Sequence, residues 1–163
     1  GRFNLYANNP RESLLHFERA YNLSGKENVN FLINGALAHL RLNQPQEGID
    51  LIDKYVVDIS GNVRALSNAA RCEALMGNKG RAYEHLATLL HLREFPNQYV
   101  SEVYISDVYA ELGDKEKAFF WVNMGIENNV PENTMFIVKP VYDKWRDEPE
   151  YRDLLKKANL DKP

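Results

Sequence analysis

Polar side chains suited to peptide recognition recur between positions 30 and 71 of this 163-residue chain. An asparagine amide donates and accepts hydrogen bonds at once, as a peptide backbone requires, and an arginine guanidinium can bind a carboxylate bidentately. An extended peptide with an acidic residue or a free C-terminus would suit such a set, whereas a solvated polar face without a ligand is the competing interpretation. The candidates are Asn30, Asn34, Arg41, Arg64, Asn68 and Arg71, followed by Tyr104, Asp107 and Glu111.

Residue types of enzyme and metal sites are present, but they do not converge. The four histidines, at positions 16, 39, 85 and 91, match no zinc spacing, and no cysteine pair accompanies them. The acidic residues between 143 and 150 are interrupted by lysine and arginine, as on a solvated surface. Neither a phosphate-binding loop nor a Ser-His-Asp grouping is found. We therefore expect no enzymatic activity, no metal and no cofactor.

Composition excludes further classes of partner. Hydrophobic residues make up 44% and charged residues 26% of the chain, enough apolar material for a continuous core. The formal net charge of −3 lacks the basic excess of nucleic-acid binders, and no apolar run approaches the roughly 18 residues of a membrane span. We expect neither direct nucleic-acid binding nor a membrane span in this chain.

The single cysteine and the first residues bear on location. Cys72 has no partner for an intramolecular disulfide, which fits a reducing compartment, and its apolar helical surroundings predict a buried, inert thiol. We expect a cytoplasmic protein. The chain begins Gly1-Arg2-Phe3 without an initiator methionine and is interpreted as a fragment, so a targeting or membrane segment elsewhere in the parent protein stays an open alternative.

Apolar residues at three- and four-residue spacing predict helices along most of the chain. Leu14, Phe17 and Tyr21 form such a stripe in a helix from about Pro10 to Leu23, where proline suits the first turn. Turns that contain Asn, Gly or Pro separate the elements that follow. Further helices are predicted over about 29–42, 45–57, 63–76, 81–92, 99–112 and 115–127.

A repeat with a period near 34 residues relates these helices in pairs. A small residue lies near the start of each second helix, at steps of 35, 34 and 36 residues, and a period of this length is typical of stacked helical hairpins. Five positions before each of the last three stands a residue that tolerates positive φ at a helix C-terminus. The small residues are Ser13, Gly48, Ala82 and Ala118, and the turn residues are Asn43, Gly77 and Gly113.

The predicted fold is an all-α, right-handed superhelix of tandem helix-turn-helix repeats over residues 1–129, followed by a capping tail with short helices over 130–163. The repeats are a partial one at 1–25 and full ones at about 29–60, 63–95 and 99–129. Terminal units of such stacks must cover an open apolar end, although Trp145 is alternatively an exposed anchor for a partner. The predicted lid residues are Phe136, Tyr142, Trp145, Tyr151 and Leu155.

The third full hairpin resembles the tetratricopeptide repeat. Tyr109, Gly113 and Ala118 fall where that family places its aromatic residue, its turn glycine and its helix-packing alanine. Earlier units match more loosely, since Gly48 replaces the usual alanine and Glu73 stands where an aromatic residue is common. The resemblance covers roughly residues 1–129.

The tail is similar to a segment that follows the last repeat in many bacterial tetratricopeptide proteins. It carries Tyr142-Asp143 and, further on, Glu148-Pro149-Glu150-Tyr151. Such repeats often lie behind an adenylate-cyclase or winged-helix regulator domain. The resemblance implies that the chain is the C-terminal part of a larger bacterial regulatory or signalling protein.

The first helix of each hairpin lines the concave face of such a stack. Besides the candidates above, the register places Ile33, Leu37, Ser67, Leu75, Val100 and Val103 on that face. Some tetratricopeptide proteins grip a C-terminal carboxylate with a lysine, asparagine and arginine set. Asn34 and Arg64 match that set in place, whereas Asn68 stands where its arginine is expected.

The predicted function is a non-catalytic scaffold that binds a protein or peptide partner, acidic or C-terminal, along the concave face. Two alternatives stay open. One is self-association into a homo-oligomer through an open repeat end, and the other is an intramolecular regulatory module of a cyclase or a winged-helix transcription regulator.

Overall fold

The computed structural model describes residues 9–26, 28–56 and 58–161. These residues form α-helices and two 3-10 helices and contain no strand. The α-helices are α1 (Pro10–Leu23), α2 (Asn30–Arg41), α3 (Pro45–Tyr55), α4 (Val63–Leu75), α5 (Lys79–Arg93), α6 (Glu102–Leu112), α7 (Lys115–Glu127) and α8 (Pro149–Lys157), and the 3-10 helices span Pro131–Val138 and Pro140–Trp145. The first eight residues of the partial repeat predicted at 1–25 lie outside the described residues.

Neighbouring helices pack against one another along the chain, from α1 on α2 to α6 on α7. In addition, α4 packs against both α2 and α6, so the first helices of the three full hairpins lie side by side. This arrangement confirms the all-α class with packed neighbouring helices. None of the described helices is long and apolar enough to cross a membrane.

The small residues of the repeat lie where second helices pack. Ser13, Ala82 and Ala118 are fully buried. Gly48 is buried too, and a Cβ atom there would lie 2.8 Å from Cys72 Sγ and 3.3 Å from the Ala36 carbonyl oxygen. Even one methyl group at position 48 would therefore press α3 against α4.

The predicted turn residues adopt positive φ, as expected for helix C-termini. The values are 57° at Asn43, 84° at Gly77 and 83° at Gly113. A left-handed residue at this position lets the chain turn back within two or three residues, which brings each second helix against its own first helix.

Two helices begin elsewhere than predicted. α5 begins at Lys79 rather than near 81. α6 begins at Glu102 rather than near 99, because Ser101 Oγ accepts a hydrogen bond from Val103 N at 3.4 Å and caps the helix.

The apolar core has a smaller part among α2, α3 and α4 and a larger part that runs from α4 to α8. The tail completes the larger part, with Phe136, Tyr142 and Tyr151 at most 2% exposed. Trp145 is also buried and meets the Phe119 ring edge-on at 5.4 Å between centroids. Trp145 is therefore a lid residue and not an exposed anchor.

Candidate functional site

Nearly all of the predicted binding residues come together in two clefts on one face of the molecule. We call this surface, made of the cleft-lining residues of α2, α4 and α6, the α2–α4–α6 face. Arg41 and Glu111 line the second cleft, of about 270 Å³, and Arg71 borders both clefts. The first cleft, of about 660 Å³, is lined among others by Asn30, Asn34, Arg64, Asn68, Arg71, Tyr104 and Asp107.

Helical spacing explains this convergence. Asn30, Asn34 and Arg41 recur at steps of four and seven on α2, and Arg64, Asn68 and Arg71 recur at four and three on α4, so each set shares one helix face. The first cleft is bordered by residues at the beginnings of α2, α4 and α6. Because helix N-termini carry partial positive charge, this end of the face favours an anionic group.

Two predicted residues lie in the core instead. Ile33 and Val100 are each 1% exposed and line neither cleft. Ile33 packs among α2, α3 and α4, and Val100 packs in the larger part of the core before α6 begins. The later start of α6 accounts for Val100, because α6 begins at Glu102 and the helical register does not extend back to Val100.

Arg64 is the charged side chain best placed to receive a ligand. Its Nε donates to the Tyr104 hydroxyl oxygen at 3.3 Å. No carboxylate of the described residues lies within ion-pair distance of its guanidinium, although the residue is partly buried. Most of its donors are therefore available to a carboxylate in the first cleft.

Asn34 and Asn68 present acceptors beside Arg64. Asn34 Nδ2 donates to the Asn30 carbonyl oxygen and Asn68 Nδ2 to the Ile33 carbonyl oxygen, both at 2.8 Å. These bonds fix each amide so that its Nδ2 is engaged. The Oδ1 atoms receive no hydrogen bond from the described part of the chain, so they can accept one from a ligand N–H.

Arg71 is already engaged within the chain. It lies 3.6 Å from Asp107 Oδ2 and 3.1 Å from Glu111 Oε1, with only 7% of its side chain exposed. Burial acts to lower the pKa of Arg71, but the two carboxylates outweigh burial and raise it. Arg71 therefore holds α4 to α6 and offers little charge to an incoming carboxylate.

The tail supplies a second cation to the same carboxylates. Lys139 Nζ donates to Asp107 Oδ2 at 2.6 Å, and the Tyr142 hydroxyl donates to Asp107 Oδ1 at 3.1 Å. Burial lowers the pKa of Lys139 against the raising effect of Asp107. The two basic groups and the two acidic groups compensate one another, which leaves this part of the face close to neutral.

The tail also lines the site, which the sequence pattern does not predict. Lys139 lines both clefts, and Met135 and Glu132 line the first. Arg41 Nη2 also donates to the Val138 carbonyl oxygen at 3.4 Å, so the tail contacts α2 as well as α6. The period ends near residue 129, and the one available signal was a lysine directly after the apolar run that ends at Val138.

Groups suited to other chemistry are shielded or dispersed. Cys72 is fully buried, and burial raises the pKa of its thiol to about 12, which agrees with the predicted inert thiol. Within residues 9–26, 28–56 and 58–161, no three His, Cys, Asp or Glu side chains are grouped to hold a metal ion.

Comparisons of the chain with protein-family models, with curated proteins and with solved structures find no match.

Proposed function

We propose that this chain is a non-catalytic binding module that takes an acidic peptide segment of a protein partner into the first cleft. The observation that supports it best is Arg64, a guanidinium without a carboxylate partner among the described residues, on the wall of a 660 Å³ cleft. Cavities of about 300–1,000 Å³ are typical of ligand sites. The carboxylate of the ligand would lie on Arg64.

The remaining lining complements a peptide. Asn34 Oδ1 and Asn68 Oδ1 would accept hydrogen bonds from backbone N–H groups, as amide acceptors do. Val103, Tyr104 and Met135 supply apolar contact area beside them. An acidic residue next to an apolar one is the pattern that this combination favours.

The form of the superhelix and the kind of parent protein are part of the same proposal. The 34-residue period and the packed hairpins support a right-handed, tetratricopeptide-like superhelix with the α2–α4–α6 face on its concave side. The tail pattern supports a place in a larger bacterial regulatory protein in the cytoplasm.

The test is a selection of phage-displayed linear peptides on the wild-type chain and on Arg64→Glu. The matched control is Arg152→Glu, because Arg152 is exposed on α8, lines neither cleft and undergoes the same charge reversal. We expect an acidic consensus from the wild type and from Arg152→Glu that is absent from Arg64→Glu. Identical peptides from all three proteins would rule out the first cleft as the binding site.

Arg71→Glu is unsuitable as a test variant, since it would bury a third carboxylate beside Asp107 and Glu111.

Self-association is a second candidate, favoured by the surface of α1. Leu15 and Leu23 are 67% and 79% exposed there, so both offer apolar area to a second copy of the chain. Light scattering over a hundredfold range of concentration tests it. A constant monomeric mass would exclude this candidate and leave the peptide site unaffected.

A further inference from the structure

Three side chains separate the two clefts of the α2–α4–α6 face. Leu37 of α2, Arg71 of α4 and Lys139 of the tail line both cavities, so they form the wall between them. Arg71 is fixed by Asp107 and Glu111. Lys139 is fixed by its contact with Asp107, and its side chain is only 10% exposed.

The aliphatic part of the Lys139 side chain, here called the lysine stem, is the part of this wall that comes from the tail rather than from α2 or α4. It enters from the tail between the first cleft and the second, whose lining includes Leu40, Leu75 and Val141. Because its ammonium is paired with Asp107, Lys139 presents bulk to a ligand and little free charge. A ligand carboxylate should therefore bind Arg64 rather than Lys139.

We propose that Lys139 is the specificity-determining residue of the site and limits the ligand to a short acidic segment that stops at this wall. The inference rests on the proposed peptide function and adds a limit on ligand length. Without the lysine stem, the two cavities would join into one groove along α4. A longer segment would then place an apolar residue among the leucines of the second cleft.

Helix geometry gives the two lengths. Arg64 and Arg71 are seven residues apart on α4, which at 1.5 Å per residue is about 10 Å. An extended peptide covers about 3.3–3.6 Å per residue, so about three residues fit between Arg64 and the wall. Arg64 and Leu75 are eleven residues apart, about 16 Å, which corresponds to about five residues.

The experiment repeats the display selection on the wild type, Lys139→Ala and Lys139→Met, with random linear octapeptides flanked by Gly-Ser. Lys139→Met keeps most of the bulk and removes the charge, whereas Lys139→Ala removes both. In the alanine variant Asp107 keeps Tyr142 and Arg71 as partners. Leu37→Ala opens the same wall from α2 and carries the test if Lys139→Ala fails to fold in a thermal melt.

We expect the wild type and Lys139→Met to give a consensus of about three positions beside the acidic residue, and Lys139→Ala and Leu37→Ala to give about five, the added ones apolar. Acetylated and amidated synthetic peptides made from the longer consensus should bind Lys139→Ala at least about tenfold more tightly than the wild type, as expected for one more buried apolar side chain. Peptides of the shorter consensus, which end at the wall, should show a smaller difference in affinity between the two proteins.

The outcomes of this experiment distinguish a failure of the Lys139 proposal from a failure of the proposed peptide function. A consensus of one width in all four proteins that still depends on Arg64 would overturn the role of Lys139 and leave the peptide function standing. A longer consensus in Lys139→Met as well would assign the limit to charge and overturn the steric argument. A wild-type selection without any Arg64-dependent consensus would remove the proposed function and this inference with it.

Discussion

The thiol of Cys72 lies fully buried on α4, and burial raises its pKa to about 12. Because the thiolate is the reactive form, we expect the native protein to react with iodoacetamide at pH 8 at least about a hundredfold more slowly than the urea-unfolded chain. Mass spectrometry of timed samples measures both rates. Comparable rates would show that the thiol is accessible and would contradict its placement between α3 and α4.

The same pKa shift predicts a pH dependence of stability. The folded state holds the Cys72 proton more tightly than the unfolded state, whose thiol pKa is 9.0, so this contribution is complete below pH 9. It is lost as the pH rises toward 12. Urea unfolding of the wild type and of Cys72→Ala should therefore differ by a pH-independent amount below pH 9 and by a changing amount above it. Parallel curves throughout would contradict the shift, since tyrosines and lysines titrate in both proteins.

The Asp107 carboxylate should contribute more to stability than Lys139 does. Asp107→Asn leaves Lys139 buried without its carboxylate and should cost about 3 kcal/mol in the free energy of unfolding. Lys139→Met should cost less, because Asp107 keeps Tyr142 and Arg71. A double-mutant cycle followed by urea unfolding should show coupling of about 0.5–3 kcal/mol. Strict additivity would mean that the pair is not formed in solution.

For single residues, the sequence predicts which polar side chains share a helix face but not which of them are available to a ligand. Arg64 and Arg71 are equivalent in type and lie on one face of α4. The structure distinguishes the two arginines, because Asp107 and Glu111 form ion pairs with Arg71 and not with Arg64. Lys139, 32 residues beyond Asp107, completes that group, and no local pattern signals a contact over such a separation.

Helix packing depends on the small residue at the start of each second helix. Ala82→Leu would force a large side chain into the α4–α5 contact, where Ala82 is fully buried, and should destabilise the protein by about 1–3 kcal/mol. Ala87→Leu is the matched control, because Ala87 is exposed on the same helix and its replacement should change stability by less than about 0.5 kcal/mol. Equal melting temperatures for the two variants would refute the register of the repeat.

Element boundaries were predictable where the signal is local. Pro10 and Pro45 begin helices, and Gly77 and Gly113 follow the C-terminal ends of α4 and α6, because each residue restricts or frees its own backbone. The start of α6 was missed because a serine cap overrode the apolar pattern. The tail was harder, since its 3-10 helices are positioned by contacts with α2, α6 and α7 rather than by their own sequence.

The two-part core predicts unequal local stability across the molecule. In stacked hairpins each unit contacts mainly its neighbours, so a defect should spread only locally. Ile52→Ala removes a buried side chain from the smaller part and should speed amide hydrogen exchange in α2 and α3. Exchange in α7 and α8 should stay unchanged.

The reciprocal control is Leu89→Ala, which removes a side chain from the larger part and should speed exchange in α5 to α7. Hydrogen-exchange mass spectrometry resolves these segments in one experiment. A uniform increase over all described helices in either variant would show that the chain unfolds as one unit, contrary to packing that is mainly between neighbouring units.

Gly48 and Cys72 together occupy a volume that leaves no room for an added methyl group, with 2.8 Å between the sulfur and the place of a Cβ atom. A substitution at either position therefore alters which residues are tolerated at the other. Alanine at position 48 would be accommodated best beside a residue smaller than cysteine at position 72. A residue bulkier than cysteine at position 72 would be excluded whenever position 48 carries a side chain. In related sequences these two positions should co-vary in side-chain volume, and the thiol at 72 would then be retained for its size rather than its reactivity.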